Sequence, residues 1–242
     1  MTAPLPGAAA SQGLRARVRR LGEPVALFFG RLGLTPNALT LLGFLITVAG
    51  AALAAAGLWL AAGIVVFLGG AFDLFDGALA RATGRASKAG AFLDSVFDRW
   101  GESVVYIGIV IGCLNAWFLL GAGLAAVAMS EAFLVSYARA RAEGLGLSTG
   151  SGMAAVGLAP REVRLVILSL GLLIAGLLGG VQAAAITINA PGVSFGAWWL
   201  PADSNGAIVL AAALGLIAVL ATITVIQRII HVTKQAATSD GK

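Results

Sequence analysis

Apolar residues run along this chain in blocks of about twenty, separated by short polar or glycine-rich breaks. Six such blocks fall at about 39–58, 58–80, 92–114, 117–138, 163–186 and 206–230. A helix needs roughly 20 apolar residues to cross a bilayer, so the pattern predicts an all-α membrane protein with six transmembrane helices. Ahead of them Leu14, Val18, Leu21, Val25, Phe28, Phe29 and Leu32 recur at three and four, with arginines between. That periodicity predicts an amphipathic helix lying at the membrane interface, kinked or broken at Pro24. Gly33-Leu34-Thr35-Pro36-Asn37 then punctuates the chain, with Thr35 as a helix cap and Pro36 in the first turn. Three segments follow: a tail and juxtamembrane helix over 1–34, a membrane domain over 35–231, and a C-terminal tail over 232–242. Residues 144–159, rich in Gly and Ser, match no phosphate-loop spacing and are expected to be a flexible connector.

Composition agrees with the pattern. Hydrophobic residues make up 59% of the chain and charged residues 11%, with a mean hydropathy of +0.95, where soluble domains run near a quarter charged. The charges also orient the bundle. Arg15, Arg17, Arg19, Arg20 and Arg31 precede the first span, Arg81, Arg85 and Lys88 follow the second, and Arg139, Arg141, Arg161 and Arg164 follow the fourth. Connections near Gly57, Asn115 and 187–205 carry no Lys or Arg. By the positive-inside rule both termini face the cytoplasm, which implies a multi-pass protein of the cell membrane. The net charge of +5 suits an anionic leaflet rather than nucleic acid, for which no aromatic-basic interleaving is present. Cys113 stands in an apolar stretch as a small buried hydrophobe. The Arg-rich start is too broken and charged to read as a cleavable signal peptide. Trp198 and Trp199 suit an interface belt. Glu131 either glues helices or lines a cavity, and His231 is expected beyond the last span.

Chemistry concentrates in one stretch. Four of the chain's eleven acidic residues fall between positions 73 and 98, as Asp73 and Asp76, three apart, and Asp94 and Asp98, four apart. Each pair shares a helix face. Both pairs abut apolar sequence, where carboxylates need neutralising, and Arg81, Arg85 and Lys88 are too few and too peripheral for all four. The plain alternative is an ion-paired helix hairpin. An oxygen-only donor set otherwise suits magnesium, or manganese in its place. Four acids around two metal ions at the mouth of a lipid-embedded bundle imply phosphoryl-type transfer, with Arg81 in reach of a phosphate.

The stretch Asp73-x2-Asp76-Gly77-x2-Ala80-Arg81-x8-Gly90-x3-Asp94-x3-Asp98 resembles the complete signature of the CDP-alcohol phosphotransferases, a resemblance extending from about Thr35 to Arg228. It implies a six-helix, usually homodimeric, membrane enzyme that transfers a lipid-phosphate group from a CDP-linked lipid to an alcohol and releases CMP. By the same resemblance Asp73, Asp76, Asp94 and Asp98 are metal ligands for two Mg2+ ions, and Asp98 is also the general base. Asn37, Ala38, Leu39 and Thr40 are similar to the family's nucleotide-contacting segment, and Gly77, Arg81 and Ser87 match its other CDP-lipid contacts.

For the acceptor, Asp94-Ser95 and Asp98-Arg99 resemble the branch that uses inositol phosphate, as do Ser136–Glu143 and Gln227-Arg228. That branch makes phosphatidylinositol phosphate from CDP-diacylglycerol. Arg139, Arg164 and Arg228 are then the expected contacts of a phosphorylated polyol acceptor, although each also suits a snorkelling anchor. The segment Ala159–Arg164 departs from the branch, which normally carries two acids there. Phosphatidylglycerophosphate synthesis from glycerol 3-phosphate is the second reading, and a serine-using enzyme needs no such arginines. A divalent-cation transporter is the non-enzyme alternative; Glu131 aside, no polar trail crosses the bundle.

Overall fold

The computed structural model describes residues 24–147, 156–181 and 204–239. Every element within them is helical: α1 (24–31), α2 (Pro36–Ala55), α3 (Trp59–Ala82), α4 (Lys88–Asn115), α5 (Leu119–Gly144), α6 (Arg161–Leu177) and α7 (Asn205–Ser239). Half of the expected flexible connector, Trp198 and Trp199, and most of the predicted interfacial helix lie outside the described residues.

Among the described residues four helices are long and apolar enough to cross a membrane: Pro36–Ala55, Trp59–Ala82, Leu119–Gly144 and Asn205–Ala237. The other two expected spans fall short for identifiable reasons. α4 is long enough but carries Lys88, Asp94, Asp98, Arg99 and Glu102 between its start and its midpoint turn. α6 has 17 residues and opens on Arg161, Glu162 and Arg164. α7 runs on to Ser239, so the helix continues through His231 and much of the expected tail is helical.

The helix ends follow local chemistry. Thr35 caps α2, its Oγ1 accepting from the Ala38 N–H at 3.2 Å, with Pro36 as the first helical residue. Ser87 does the same for α4 through the Gly90 N–H at 3.0 Å. α3 stops at Gly84, whose φ of +64° is the left-handed conformation that closes helices and favours glycine. The turn over 83–87 leaves α3 and α4 joined as a hairpin.

The chain divides into two compact units. The first comprises the described residues up to Ile46 together with Leu68–Trp100; the second comprises Thr47–Phe67 and the described residues from Gly101 onward. In the first, Ala26, Leu39, Ala78 and Leu79 form a buried cluster against Phe29, Leu34, Phe72 and Phe75. Phe29 of α1 packs its ring 5.7 Å from Phe72 and 6.3 Å from Phe75, which seats α1 on α3.

The second unit has a core of small residues, among them Ala51, Ala54, Ala62, Ala125, Ala128 and Ala221, around Trp59, Tyr106, Phe118 and Leu214. Cys113 is fully buried there, as its apolar setting predicts. Without water between helices, association rests on close packing and hydrogen bonds. A Cβ added at Gly108 or Gly112 would collide with the carbonyl oxygen of Ala51 or Ala54, so α4 and α2 touch there through their backbones. α7 packs against α5 and α6. Thr224 of α7 accepts from the N–H groups of both Leu158 and Ala159 at 3.0 Å and donates to the Leu220 carbonyl. One hydroxyl thus ties the segment before α6 to α7.

Candidate active site

The first turns of α2, the last turns of α3 and the first turns of α4 surround a cavity of about 210 Å3 in the first unit. Asn37, Thr40, Asp76, Gly77, Arg81, Ser87 and Asp94 all line it. Five of the seven residues expected to bind the CDP-lipid are therefore together. The other two, Ala38 and Leu39, do not line it; Leu39 is fully buried in the α1–α3 cluster. On one helix turn consecutive residues face different ways, so a contiguous segment cannot place every side chain in one cavity.

Asp76 is the anchor of the arrangement. Its carboxylate is only 4% exposed, and its Oδ2 accepts from the Thr40 hydroxyl at 2.5 Å. Its Oδ1 accepts from the backbone N–H of Gly77. Arg81 folds back along α3, as long helical side chains do, and its guanidinium lies over Gly77. A Cβ at Gly77 would meet Arg81 Nη1 at 3.2 Å. Glycine there makes room for the arginine. On the facing side, Ser87 Oγ and Asn37 Oδ1 stand 3.2 and 3.4 Å from a Cβ placed on Gly90.

Asp73 and Asp98 lie one turn away from the cavity's lining along their helices, about 4.5 and 6 Å by helix rise. The carboxylate of Asp73 sits beside Gly43 of α2, 3.3 Å from where a Cβ would be. Asp98, half-buried, belongs to a turn held by aromatic packing. Phe44 of α2 lies 5.0 Å from Phe97 and 5.1 Å from Trp100, and those two rings stack at 6.0 Å. Asp73 and Asp94 both act electrostatically on Asp76. Among the described residues no three acidic, His or Cys side chains close into a cage, as mutually repelling carboxylates stand apart. The donor chemistry nevertheless fits a hard divalent cation: several carboxylate oxygens, one of them on a buried residue, and no soft ligand.

The three arginines expected at the acceptor belong to the second unit and differ in setting. Arg139 pairs with Glu143 one turn on, at 2.8 Å, with both side chains nearly half exposed. Arg164 is 1% exposed. Its Nε and Nη2 donate to the two carboxylate oxygens of Glu102 at 2.8 Å each, and its Nη1 to the Ala159 carbonyl at 2.8 Å. Arg228, also buried, donates to the carbonyls of Val135 and Val156. Sequence reasoning missed Glu102, although an acid within an apolar helix is a signal for a buried cationic partner. It also missed Gly43 and the Phe44–Phe97–Trp100 packing, which glycine and aromatic residues in an apolar helix do not announce.

A sequence profile of CDP-alcohol phosphatidyltransferases matches residues 33–238. The chain belongs to this family. Among its relatives, the archaetidylinositol phosphate synthase of Pyrococcus horikoshii is 38% identical over 177 residues, 72% of this chain and 87% of that protein. The phosphatidylinositol phosphate synthase of Streptomyces avermitilis is 33% identical over 236 residues, covering 94% and 84%. The crystal structure of the Mycobacterium tuberculosis phosphatidylinositol phosphate synthase with CDP-DAG bound superposes with a TM-score of 0.68 at 29% identity, covering 88% of this chain and 94% of that one. A second structure of that enzyme, in complex with manganese and citrate, gives 0.66 at 28% identity, with 87% and 88% covered. This chain is thus a multi-pass membrane transferase of phospholipid synthesis, a CDP-alcohol phosphatidyltransferase.

Proposed function

We propose that this transferase moves the phosphatidyl group of CDP-diacylglycerol, or of a related CDP-lipid, to inositol phosphate, giving phosphatidylinositol phosphate and CMP. The observation that carries this is one cavity in which Asp76 and Asp94 face Asn37, Thr40, Arg81 and Ser87, in a chain whose relatives are named archaetidylinositol phosphate synthase and phosphatidylinositol phosphate synthase. Asp73, Asp76, Asp94 and Asp98 would hold two divalent cations, Mg2+ with Mn2+ as substitute; manganese accompanies a relative's structure. Such ions, when bound, neutralise diphosphate charge and polarise the phosphoryl centre.

The chain's own residues do the rest. Asn37, Ser87 and Gly90 form the wall that would take the cytidine end. Arg81, held above Gly77, aims a forked donor at a phosphate. Thr40 fixes the rotamer of Asp76, so one oxygen stays turned to its hydroxyl. Asp98 takes the proton from the acceptor hydroxyl as that oxygen bonds to the lipid-side phosphorus. The bond from phosphorus to the CMP oxygen breaks, and CMP leaves with the electron pair. As acceptor groups Arg139, Arg164 and Arg228 take unequal roles. Arg139 presents an exposed guanidinium that a phosphate can draw away from Glu143, while Arg164 and Arg228 hold the frame around it. Six spans, cytoplasmic termini, a cytoplasmic cavity and a homodimer complete the reading, with the arginine distribution supporting the orientation.

The test offers CDP-diacylglycerol to the purified chain with inositol phosphate, glycerol 3-phosphate, inositol or serine in turn, reading CMP and product lipid. CMP release is expected with inositol phosphate, lost on chelation and restored by Mg2+ or Mn2+. Preference for glycerol 3-phosphate would overturn the acceptor, and full activity after rigorous chelation the ion assignment.

A further inference from the structure

The first unit carries a second cavity, of about 320 Å3, on the α1 side of the carboxylate pocket. Leu27, Gly30 and Arg31 of α1, Leu34, Leu79 and Arg85 line it, and Pro36 and Arg85 line both cavities. Its chemistry differs from its neighbour's. The first cavity sets two aspartates against two arginines; the second has two arginines and no acid. The side chains of Arg31 and Arg85 are exposed, and neither guanidinium forms an ion pair or hydrogen bond among the described residues. The walls are fixed: Phe29 is clamped to Phe72 and Phe75, and a Cβ on Gly30 would strike Leu79 Cδ1 at 2.8 Å. α1 therefore sits close to α3 there, and a larger residue would require the Leu79 side chain to shift. Beside the opening, α1 and the turn after it leave Phe28 57% and Leu32 63% exposed, the surface of an element half in hydrocarbon.

We propose that this cavity binds an anionic phospholipid of the bilayer, distinct from the CDP-lipid substrate. Its phosphate bridges Arg31 and Arg85, and its glycerol and first acyl carbons rest on Leu27, Leu34 and Leu79. Charge complementarity selects an anion. The leucines select a lipid over free phosphate, which would bury nothing against them. Because Pro36 and Arg85 belong to both cavities, occupancy of the second steadies one wall of the first and favours CDP-lipid loading.

Arg31, which lies outside the substrate cavity, is the residue to change. Full-length protein, delipidated in detergent, is titrated with dioctanoyl phosphatidylglycerol or dioctanoyl phosphatidylcholine, and bound lipid is counted by native mass spectrometry. Phosphatidylglycerol should bind and phosphatidylcholine should not. Arg31→Ala should weaken binding about fivefold and Arg31→Glu more, as expected when roughly one cation–phosphate attraction is removed or reversed. Arg31→Lys should retain most of it, and all three should bind CDP-diacylglycerol alone as the native chain does. With saturating CDP-diacylglycerol a species holding both lipids is expected. Displacement of phosphatidylglycerol by CDP-diacylglycerol would place it in the substrate cavity and overturn the proposal. So would unchanged binding in Arg31→Glu, or equal competition by inorganic phosphate, which would mark a phosphate site rather than a lipid site.

Discussion

Asp76 and Asp98 are both aspartates of one signature, yet their surroundings differ, as does the work proposed for each. Asp76 is buried, bonded to Thr40 and to the Gly77 N–H, and so is fixed. Asp98 is half-buried on the helix turn that carries the Phe97–Trp100 stack, and is the group proposed to take the acceptor hydroxyl's proton. Asp98→Asn keeps shape and one ligand oxygen but takes no proton. It should bind CDP-diacylglycerol while turning over at least ~10²-fold more slowly, the low end for a positioned general base. Near-native turnover would move the base elsewhere. Asp76→Asn should instead weaken metal-dependent CDP-lipid affinity, measurable in the same assays. At this scale the sequence singled out four acids, because carboxylates at helix spacing in apolar sequence demand a neutralising partner. It did not disclose who holds them. Thr40 and Asp76 are 36 residues apart, and only the folding of α2 onto α3 makes them partners. Arg164 shows the same limit from the other side. Read alone it suits a phosphate, but 62 residues away Glu102 already grips it.

Helix existence and type were legible in the blocks of apolar sequence, and so were the ends where a single residue decides them, such as Thr35 and Pro36 before α2. Extents were less so. The block at 163–186 reads as one span, whereas α6 ends at Leu177 in a glycine-rich turn that hydropathy passes over. α4 shows why apolar content and helix length part company: its first half is a chemical surface, and helix continues through it because caps and tertiary contacts, not apolarity, sustain it. The Glu102–Arg164 pair joins α4 to α6 beside their shared apolar core. Breaking a buried pair by removing one partner costs about 3–5 kcal/mol, whereas apolar replacement of both is often neutral. Glu102→Met or Arg164→Met alone should therefore lower Tm sharply, and the double substitution should recover most of the loss. Should the double variant regain stability but not affinity for inositol phosphate, Arg164 contributes to the acceptor site as well as to the frame.

Across the whole molecule, residue size is distributed in a way that water-soluble proteins do not share. Large side chains such as Leu45, Phe67, Phe133, Leu170 and Ile229 face outward, while the second unit's interior is dominated by alanine and by glycines at backbone contact. The backbone contact of Gly108 and Gly112 with Ala51 and Ala54 has a volumetric consequence. Pressure unfolds proteins by eliminating internal voids, and helices that already touch main chain to main chain leave few to eliminate. The second unit should resist hydrostatic compression, losing structure only at pressures well above those that unfold a loosely packed bundle. Gly108→Ala pushes a methyl into the Ala51 carbonyl, and the gap opened around it becomes compressible space. Its unfolding midpoint should fall under pressure by more than its thermal stability alone predicts. Trp59, 2% exposed and placed against Gly112, reports the change directly in a variant that keeps it as the sole tryptophan.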